Sequence, residues 1–330
     1  MKKAGLFAVL LALVCCSSSE SASPTVPPVV DPPAEVDAST DPPDGAVADA
    51  GVDARDARPD GPPPVPGNLR VVAANISSGP SLVYGPAEGV RIFQGLRPDV
   101  VLIQELVVGG NSTTEVDAYV TTTFGATFSY YREPGAQIPN GIISRYPILE
   151  SGTWVDPQVA NRGFAYAKLD LPGGRPLWAI SLHLLTSGVA QRAAEVTSLV
   201  AQVKATIPAA DYLVLGGDFN TGSRVEPCIV DPLTGLAQIV VTAAPYPADG
   251  AGNDNTSGPR SKPHDWLLAD TDLAAFSVPV AIGQRGYPGG LVFDSRVFMP
   301  LADVAPVQTT DSAATNMQHM PVVRDFLVPE

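Results

Sequence analysis

Residues 99–105 read Asp99-Val100-Val101-Leu102-Ile103-Gln104-Glu105. The apolar run, rich in β-branched residues, predicts a buried β-strand over 100–104, with an amide and a carboxylate where the strand ends. The same arrangement recurs at 212–220, where Tyr-Leu-Val-Leu precedes Gly-Gly-Asp-Phe-Asn. Side chains that end neighbouring strands can converge at one edge of a sheet. These two stretches therefore predict a β-sheet with a polar site along one edge.

The remaining pattern predicts many strands and few helices. Apolar runs also occur at 69–74, 142–144, 164–169, 177–182, 266–268 and 322–327. Two segments, 88–96 and 189–207, show the spacing of amphipathic helices. This mixture favours an α/β or α+β sandwich over an all-β barrel. Residues 245–263 are rich in turn residues and predict a long loop, a kind of segment that often binds ligands.

The composition indicates a globular body that is acidic. Of the 330 residues, 45% are hydrophobic and 16% are charged, which excludes a wholly disordered chain. The net charge is −14, and residues 1–67 hold 4 Lys/Arg against 10 Asp/Glu, which leaves residues 68–330 at −8. Proteins that bind long nucleic acids usually present a basic face. The acidic balance therefore argues weakly against a nuclease, although it is compatible with a local basic groove.

The first 16 residues have the pattern of a bacterial lipoprotein signal peptide. Lys2-Lys3 precede an apolar run that is too short to span a bilayer, and Leu13-Val14-Cys15-Cys16 is similar to a lipobox. Cys16 is the predicted lipidated residue, with Cys15 as an alternative. Ordinary signal peptidase cleavage is a further alternative. Export of the protein is expected in each case.

Residues 17–67 consist largely of Ser, Pro, Asp, Ala and Val, and three Asp/Pro-rich clusters interrupt them. Such a segment cannot bury enough apolar surface to offset its ordering entropy, so it predicts an extended acidic tether rather than a folded module. The globular domain is expected at 68–330. After cleavage at Cys16 its only cysteine is Cys228, so no intramolecular disulfide is expected.

Seven short stretches place an acid, an amide or an imidazole beside an apolar strand. They are Asn75, Gln104-Glu105, Asn140-Gly141, His183, Gly217-Asp218-Phe219-Asn220, His264-Asp265-Trp266 and Gln318-His319. Taken singly, an acid after a strand is more often a helix cap or a turn residue. Their number and order are what indicate a site.

Taken in that order, the stretches resemble the endonuclease/exonuclease/phosphatase family, metal-dependent phosphoesterases of the DNase I-like fold. The most specific pieces are 99–105, Gly141-Ile142-Ile143-Ser144-Arg145-Tyr146-Pro147-Ile148 and Gly217-Asp218-Phe219-Asn220. The resemblance covers nearly all of residues 68–330. It implies a four-layer sandwich, in which two mixed β-sheets pack face to face with helices on the outside.

The resemblance also implies a divalent metal site. Glu105 corresponds to the family's main carboxylate ligand for Mg²⁺ or Mn²⁺, and Asn75 would support it. The last motif of the family usually reads Ser-Asp-His, with the Asp helping to hold the metal. This sequence has Met317-Gln318-His319 instead, so Gln318 is expected to offer a neutral oxygen in place of a charged one.

The remaining roles follow from the same resemblance. Asp218 with Asn220 would orient and deprotonate the attacking water. His183 and His319, the latter paired with Asp265, would stabilise charge on the phosphate or assist the leaving group. Asn140 is predicted to contact the same phosphate. The positive charges of Arg145 and Arg162, rather than the resemblance, make them candidates to attract an anionic substrate, although an arginine near a turn is more often solvated or paired with an acid. His264, which alternation would turn to the opposite face from Asp265, is expected to be structural or to lie at the rim.

The predicted function is an exported hydrolase of phosphate esters that depends on a divalent metal. Phosphodiesters and phosphomonoesters both remain open, so the substrate could be nucleic acid, phospholipid, sphingomyelin or a small phosphoester. The alternative is a non-catalytic surface lipoprotein that uses the fold as a binding module, which only Gln318 supports. An adhesin would be expected to show repeats, and none is visible. No protein partner is predicted; the membrane would be reached through the lipid anchor.

The substitution at position 318 gives a first test. We expect Gln318→Asp to bind Mg²⁺ more tightly than the natural chain, because it restores one negative charge among the metal ligands. Isothermal titration calorimetry of the two proteins measures this directly. Tight Mg²⁺ binding by the natural chain that Gln318→Asp leaves unimproved would show that position 318 does not contact the ion.

Overall fold

The computed structural model describes residues 67–85, 87–226, 240–241 and 243–329. The predicted signal peptide, all but the last residue of the predicted tether, and Cys228 lie outside the described residues. Among the helices that are described, none combines the length and apolarity needed to cross a bilayer.

The first sheet has seven strands. They are β1 (Asn68–Ala74), β2 (Val100–Ile103), β3 (Ser129–Arg132), β4 (Gly141–Ser144), β10 (Ser277–Val278), β13 (Leu291–Val292) and β14 (Val322–Leu327). Their order is β10-β14-β1-β2-β4-β3, and β13 also pairs with β14. The pair β1 and β2 is parallel and the other pairs are antiparallel, so the sheet is mixed.

The second sheet has five strands in sequence order. They are β5 (Ile148–Trp154), β6 (Phe164–Leu169), β7 (Leu177–His183), β8 (Tyr212–Asp218) and β9 (Asp265–Ala269). Only β7 and β8 are parallel. A separate hairpin joins β11 (Val280–Ile282) to β12 (Arg285–Tyr287).

Four α-helices accompany the sheets within the described residues, besides two 3-10 helices at Leu301–Val304 and Asp311–Ala313. They are α1 (Ala87–Leu96), α2 (Thr113–Phe124), α3 (Val189–Thr206) and the single turn α4 (Thr271–Ala274). Apolar side chains of α1 and α2 pack on one face of the first sheet, and those of α3 pack on one face of the second. A third apolar cluster joins the two sheets, with Val71 and Leu102 from one and Ala179 and Val214 from the other. The predicted four-layer sandwich is confirmed.

Strand direction gives the sandwich two distinct ends. Strands β1, β2, β7 and β8 finish at one end, where β9 and β14 begin; we call it the site end. At the opposite end, Asn68 at the start of β1 pairs with Leu327 at the finish of β14. All eight predicted strands and both predicted helices are present, with bounds that differ by at most three residues. The polar residues predicted at strand ends are therefore carried to the site end by both sheets.

Candidate active site

Three side chains of the second sheet stand side by side at the site end. His183 of β7 is the register partner of Asp218 of β8, which is the partner of Asp265 of β9. Direct register partners project their side chains to the same face of a sheet. All three are buried, and Asp218 is only 1% exposed. The sheet alone therefore brings one imidazole and two carboxylates together.

The turn after β8 fixes the Asp218 carboxylate. Gly217 has a φ of 139°, and a Cβ there would collide with the carbonyl of Leu182 and the side chain of Gln104, so only glycine fits. Asn220, with a φ of 51°, donates its backbone N–H to Asp218 Oδ1 at 2.8 Å and its side-chain amide to the carbonyl of Leu184 at 3.0 Å. This turn explains the spacing of Gly, Asp and Asn in the motif.

The first sheet contributes a carboxylate and an amide from across the interface. Asn75, which follows β1, lies with its side-chain nitrogen 3.3 Å from both Glu105 Oε1 and Asp218 Oδ2. Glu105 follows β2 and has a positive φ of 54°. Its other oxygen, Oε2, is 3.3 Å from the hydroxyl of Ser77. Asn75 thus links the carboxylates that the two sheets supply.

His319 is held between two carboxylates. Its Nδ1 lies 2.9 Å from Asp265 Oδ2, and its Nε2 lies 3.4 Å from Asp218 Oδ2. Burial by itself lowers the pKa of His319, but Asp265 and Asp218 outweigh burial and raise the pKa to about 10. Since a carboxylate only accepts hydrogen bonds, Nδ1 carries a proton, and the imidazole is a cation at neutral pH.

His183 has the opposite character. Its Nε2 is 3.4 Å from Asp218 Oδ2, while its Nδ1 is 3.8 Å from Glu105 Oε1 and, though buried, has no hydrogen-bond partner. Burial lowers the pKa of His183 to about 4, despite the opposing effect of Asp218. The site therefore pairs a charged imidazole with a neutral one. Such divergent environments are typical of groups that take different roles in proton transfer.

The donor set fits a hard divalent cation. Three carboxylates, those of Glu105, Asp218 and Asp265, meet beside one cationic imidazole, and Asp265 Oδ1 is buried without a hydrogen-bond partner. Asp218, Asp265 and His319 offer ligand atoms within 4.8 Å of one another. Ligation by His319 would require the release of its Nε2 proton, because a ligating imidazole is neutral. Glu105, whose side chain is 22% exposed, is the accessible carboxylate of the group.

Two of the predicted residues lie at the rim. Gln318 is exposed, and among the described residues its side chain makes no hydrogen bond; its role as a ligand remains a prediction. His264 is half-buried, with its ring 5.5 Å from that of His319 and its Nδ1 3.2 Å from the carbonyl of Thr221. Burial lowers its pKa. His264 therefore adjoins the site, in agreement with the rim position expected for it.

The two predicted substrate contacts differ in position. Asn140 precedes β4 at the site end, where its amide donates to the carbonyl of Gly163 and its buried Oδ1 has no hydrogen-bond partner. Arg145 follows β4 at the opposite end, where its Nε is 3.0 Å from Asp99 Oδ1. Asp99 is six residues before Glu105, which is about 20 Å of extended strand. The predicted substrate contact by Arg145 is therefore wrong: the arginine caps the far end of β2.

The contacts that Ser77, Arg162 and Thr256 make to hold the site were not predicted, although the charge of Arg162 had marked it as a candidate substrate contact. Ser77 contacts Glu105, although nothing marks a hydroxyl two residues after a strand-ending Asn. Arg162 donates to the carbonyls of His183 at 2.5 Å and Leu184 at 3.0 Å, a contact that depends on a loop conformation. Thr256, in the long loop, accepts the backbone N–H of Asp265. All of these depend on loop geometry rather than on strand periodicity.

Comparisons with known proteins agree with this geometry. A model of the endonuclease/exonuclease/phosphatase family matches residues 72–290. No curated protein matches the sequence.

Solved structures show the same fold at low identity. The endonuclease/exonuclease/phosphatase from Bacteroides vulgatus is 14% identical, with a TM-score of 0.57 over 79% of this chain and 99% of that one. The corresponding protein from Beutenbergia cavernae DSM 12333 is 17% identical, with a TM-score of 0.53 over 78% of this chain and 71% of that one. Truncated Caenorhabditis elegans TDP2 is 17% identical, with a TM-score of 0.52 over 78% and 97%.

A buried acid pair supports the strand that carries His183. Glu195 of α3 is fully buried and accepts the backbone N–H of Leu185 at 3.1 and 3.2 Å. Burial raises the pKa of Glu195 to about 8, and the neighbouring Asp156 carboxylate adds to the rise. Below that pH the pair therefore holds a proton. The positive charge of Arg162 opposes this rise, because it attracts the carboxylates of both acids. Arg162 also donates a hydrogen bond to the carbonyl of His183.

This pair predicts a pH-dependent stability. Since the pKa of Glu195 rises from 4.5 to about 8 on folding, its protonation stabilises the fold fully below about pH 4.5. That contribution is lost as the pH rises to about 8. We expect Glu195→Gln, which stays neutral, to flatten the fall in urea midpoint between pH 5 and 8.

Glu150→Gln is the control, because Glu150 is exposed on β5. Glu150→Gln should leave the fall of the urea midpoint between pH 5 and 8 unchanged. An identical pH profile for the natural chain and Glu195→Gln would show that Glu195 is already ionised in the folded protein.

Proposed function

The chain belongs to the endonuclease/exonuclease/phosphatase family and is thus a phosphoesterase, and we propose that it is an exported enzyme that requires a divalent cation. The observation that carries this proposal is the register row His183-Asp218-Asp265, which faces Asn75 and Glu105 across the sheet interface. A binding module has no need of this complete set. The non-catalytic alternative is therefore the weaker one.

Glu105 and Asn75 are the residues that would hold Mg²⁺ or Mn²⁺, with Gln318 at the rim. A bound divalent cation would neutralise negative charge on the phosphate oxygens of the substrate. The excess of carboxylates around Asp218 supports this, because three buried or half-buried anions with one cationic imidazole leave uncompensated charge.

Asp218 is suited to accept the proton of the attacking water. Its Oδ1 is fixed by the backbone of Asn220, which leaves Oδ2 to face both imidazoles and the amide of Asn75. A carboxylate held in one orientation can take a proton from a water placed in line with the phosphorus. Asn220 contributes by fixing that orientation.

The imidazoles are suited to the charge that builds on the phosphate. His319, fixed by Asp265 through Nδ1, would donate from Nε2 to an equatorial phosphate oxygen or to the leaving oxygen. His183 would accept or donate one hydrogen bond as a neutral ring. Asn140 at the same end of the sandwich offers an unpaired buried oxygen to the substrate or to an ordered water.

The proposal covers phosphodiesters and phosphomonoesters, in nucleic acid, phospholipid or small molecules. Many arginines of the described domain are already paired with carboxylates, among them Arg70, Arg91, Arg192 and Arg224. Few are left to neutralise a long phosphate backbone. This supports small or lipid substrates over long nucleic acid.

Asp218→Asn tests the enzyme directly. We expect it to lower metal-dependent hydrolysis at least about 100-fold, because an amide cannot accept the proton of water. The assay uses residues 1–330 with plasmid DNA, bis-p-nitrophenyl phosphate, p-nitrophenyl phosphate and sphingomyelin, each with Mg²⁺, Mn²⁺ or EDTA.

Asp272→Asn is the control, since Asp272 is exposed and pairs with Arg175 on the surface. Its rate should match that of the natural chain. Absence of metal-dependent hydrolysis on every substrate, or an unchanged rate in Asp218→Asn, would refute the enzyme.

Export and lipid anchoring are part of the same proposal and are supported by the sequence at 1–16. Expression of the full chain in a bacterium with labelled palmitate should label the natural protein and Cys15→Ser but not Cys16→Ser. The reverse pattern would place the lipid on Cys15. A protein without label in all three cases would not be a lipoprotein.

A further inference from the structure

Arg260 is the centre of the long loop between β8 and β9. Its guanidinium donates to the carboxylate of Asp249 at 2.9 Å and that of Asp294 at 2.9 Å. It also donates to the backbone carbonyls of Asn253 at 2.9 Å and Asn255 at 2.6 Å. The side chain is only 10% exposed. One cation therefore ties two acids and two peptide groups into one buried cluster.

The segment that Arg260 ties down passes directly beside Asp265 and His319, the hydrogen-bonded pair that we call the dyad. Thr256 follows Asn255, and its fully buried hydroxyl accepts the backbone N–H of Asp265 at 2.8 Å. Its carbonyl accepts the backbone N–H of Met320, the residue after His319, at 2.7 Å. Thr256 is thus bonded to both chain segments that carry the dyad.

Ser257 continues this contact. It forms an antiparallel bridge with His319, and the next residue, Gly258, donates its N–H to the carbonyl of Gln318. Residues 256–258 therefore act as a short strand between β9 and the segment before β14. The two segments that carry the dyad are not register partners in either sheet, and this strand forms backbone hydrogen bonds to both.

We propose that Arg260 and Thr256 are positioning residues, which set the distance between Asp265 and His319 and so the aim of the imidazole at the substrate phosphate. The proposal rests on the proposed phosphoesterase function. Neither residue touches Asp218 or Glu105, and neither belongs to the motifs that identify the family.

The chemistry of the cluster requires an arginine. Its planar fork reaches four acceptors in different directions, whereas a lysine ammonium is a compact charge on a flexible stem. Asp294 has a second partner in Arg296, whereas Asp249 pairs with no side-chain cation other than Arg260 among the described residues. Without the guanidinium, the backbone carbonyls of Asn253 and Asn255 would lose their hydrogen bonds to Arg260. The adjacent Thr256 would then no longer be held in place.

The first variant is Arg260→Lys, which keeps the charge and removes the fork. We expect kcat for bis-p-nitrophenyl phosphate to fall roughly 10- to 100-fold, since small misplacements of a catalytic group have effects of that size. KM and the Mg²⁺ concentration at half-maximal rate should stay unchanged, because substrate and metal ligands are untouched.

Arg70→Lys is the matched control. Arg70 is also buried, 13% exposed, and its guanidinium also binds one carboxylate, that of Asp325, and two carbonyls, but at the opposite end of the sandwich. The Arg70→Lys substitution should lower the melting temperature without changing the kcat of the folded protein. Equal loss of kcat in both variants would show a general loss of folded protein and overturn the proposal.

The second position tests the proposal even if Arg260→Lys fails to fold. Thr256→Val removes only the hydrogen bond from the Asp265 N–H to the hydroxyl and should also lower kcat. Thr256→Ser keeps the hydroxyl and should retain most of the natural kcat. Where both sites can be combined, Arg260→Lys with Thr256→Val should be less than additive in kcat, because the two act through one segment. Normal kcat in Thr256→Val overturns the proposal.

A readout without activity separates this proposal from the proposed function. In ¹⁵N-histidine-labelled protein, the Nδ1 proton of His319 should give a downfield resonance from its bond to Asp265, which His319→Gln removes. Arg260→Lys and Thr256→Val should shift or broaden that resonance, and Arg70→Lys should not. An inactive natural chain with this response would refute only the phosphoesterase; an unmoved resonance in an active chain would refute only the positioning role.

Discussion

The buried charge of Asp218 is the constraint on which the site depends. A carboxylate that is 1% exposed must be compensated, and here the compensation comes from Asn220, Asn75 and the two imidazoles. Each of these partners belongs to a different strand end. The charge thus requires four segments of chain to meet, and the tight turn at Gly217 is what presents it to them.

The face-to-face packing of the sheets turns this constraint into an active site. Asn75 and Glu105 come from the first sheet, and His183, Asp218 and Asp265 from the second, so the apolar cluster between the sheets fixes the separation of the two sets. Protein interiors pack as densely as organic crystals and deform little. The apolar core between the sheets therefore gives the site a rigidity that loops alone would lack. His319, which lies in neither sheet, depends on loops for its placement and is tied to them through residues 256–258.

The strands with buried apolar runs could be predicted because periodicity and β-branching are local properties. The missed elements are those whose local signals are weak. Strand β5, with the sequence Ile-Leu-Glu-Ser-Gly-Thr-Trp, is a largely exposed edge strand, and α2 is rich in Thr but begins at a capping box formed by Ser112 and Glu115. The site residues at strand ends could be predicted too, since strand direction carried them together. Arg145 was misplaced because its strand is antiparallel to β2, and pairing direction is not a local property.

Strand direction also decides where the described domain begins and ends. Asn68 and Leu327 are register partners at the end remote from Asp218, so the first and last strands start and finish at the same pole. A probe attached to either of these two residues is therefore separated from the carboxylates of the site by the length of the strands.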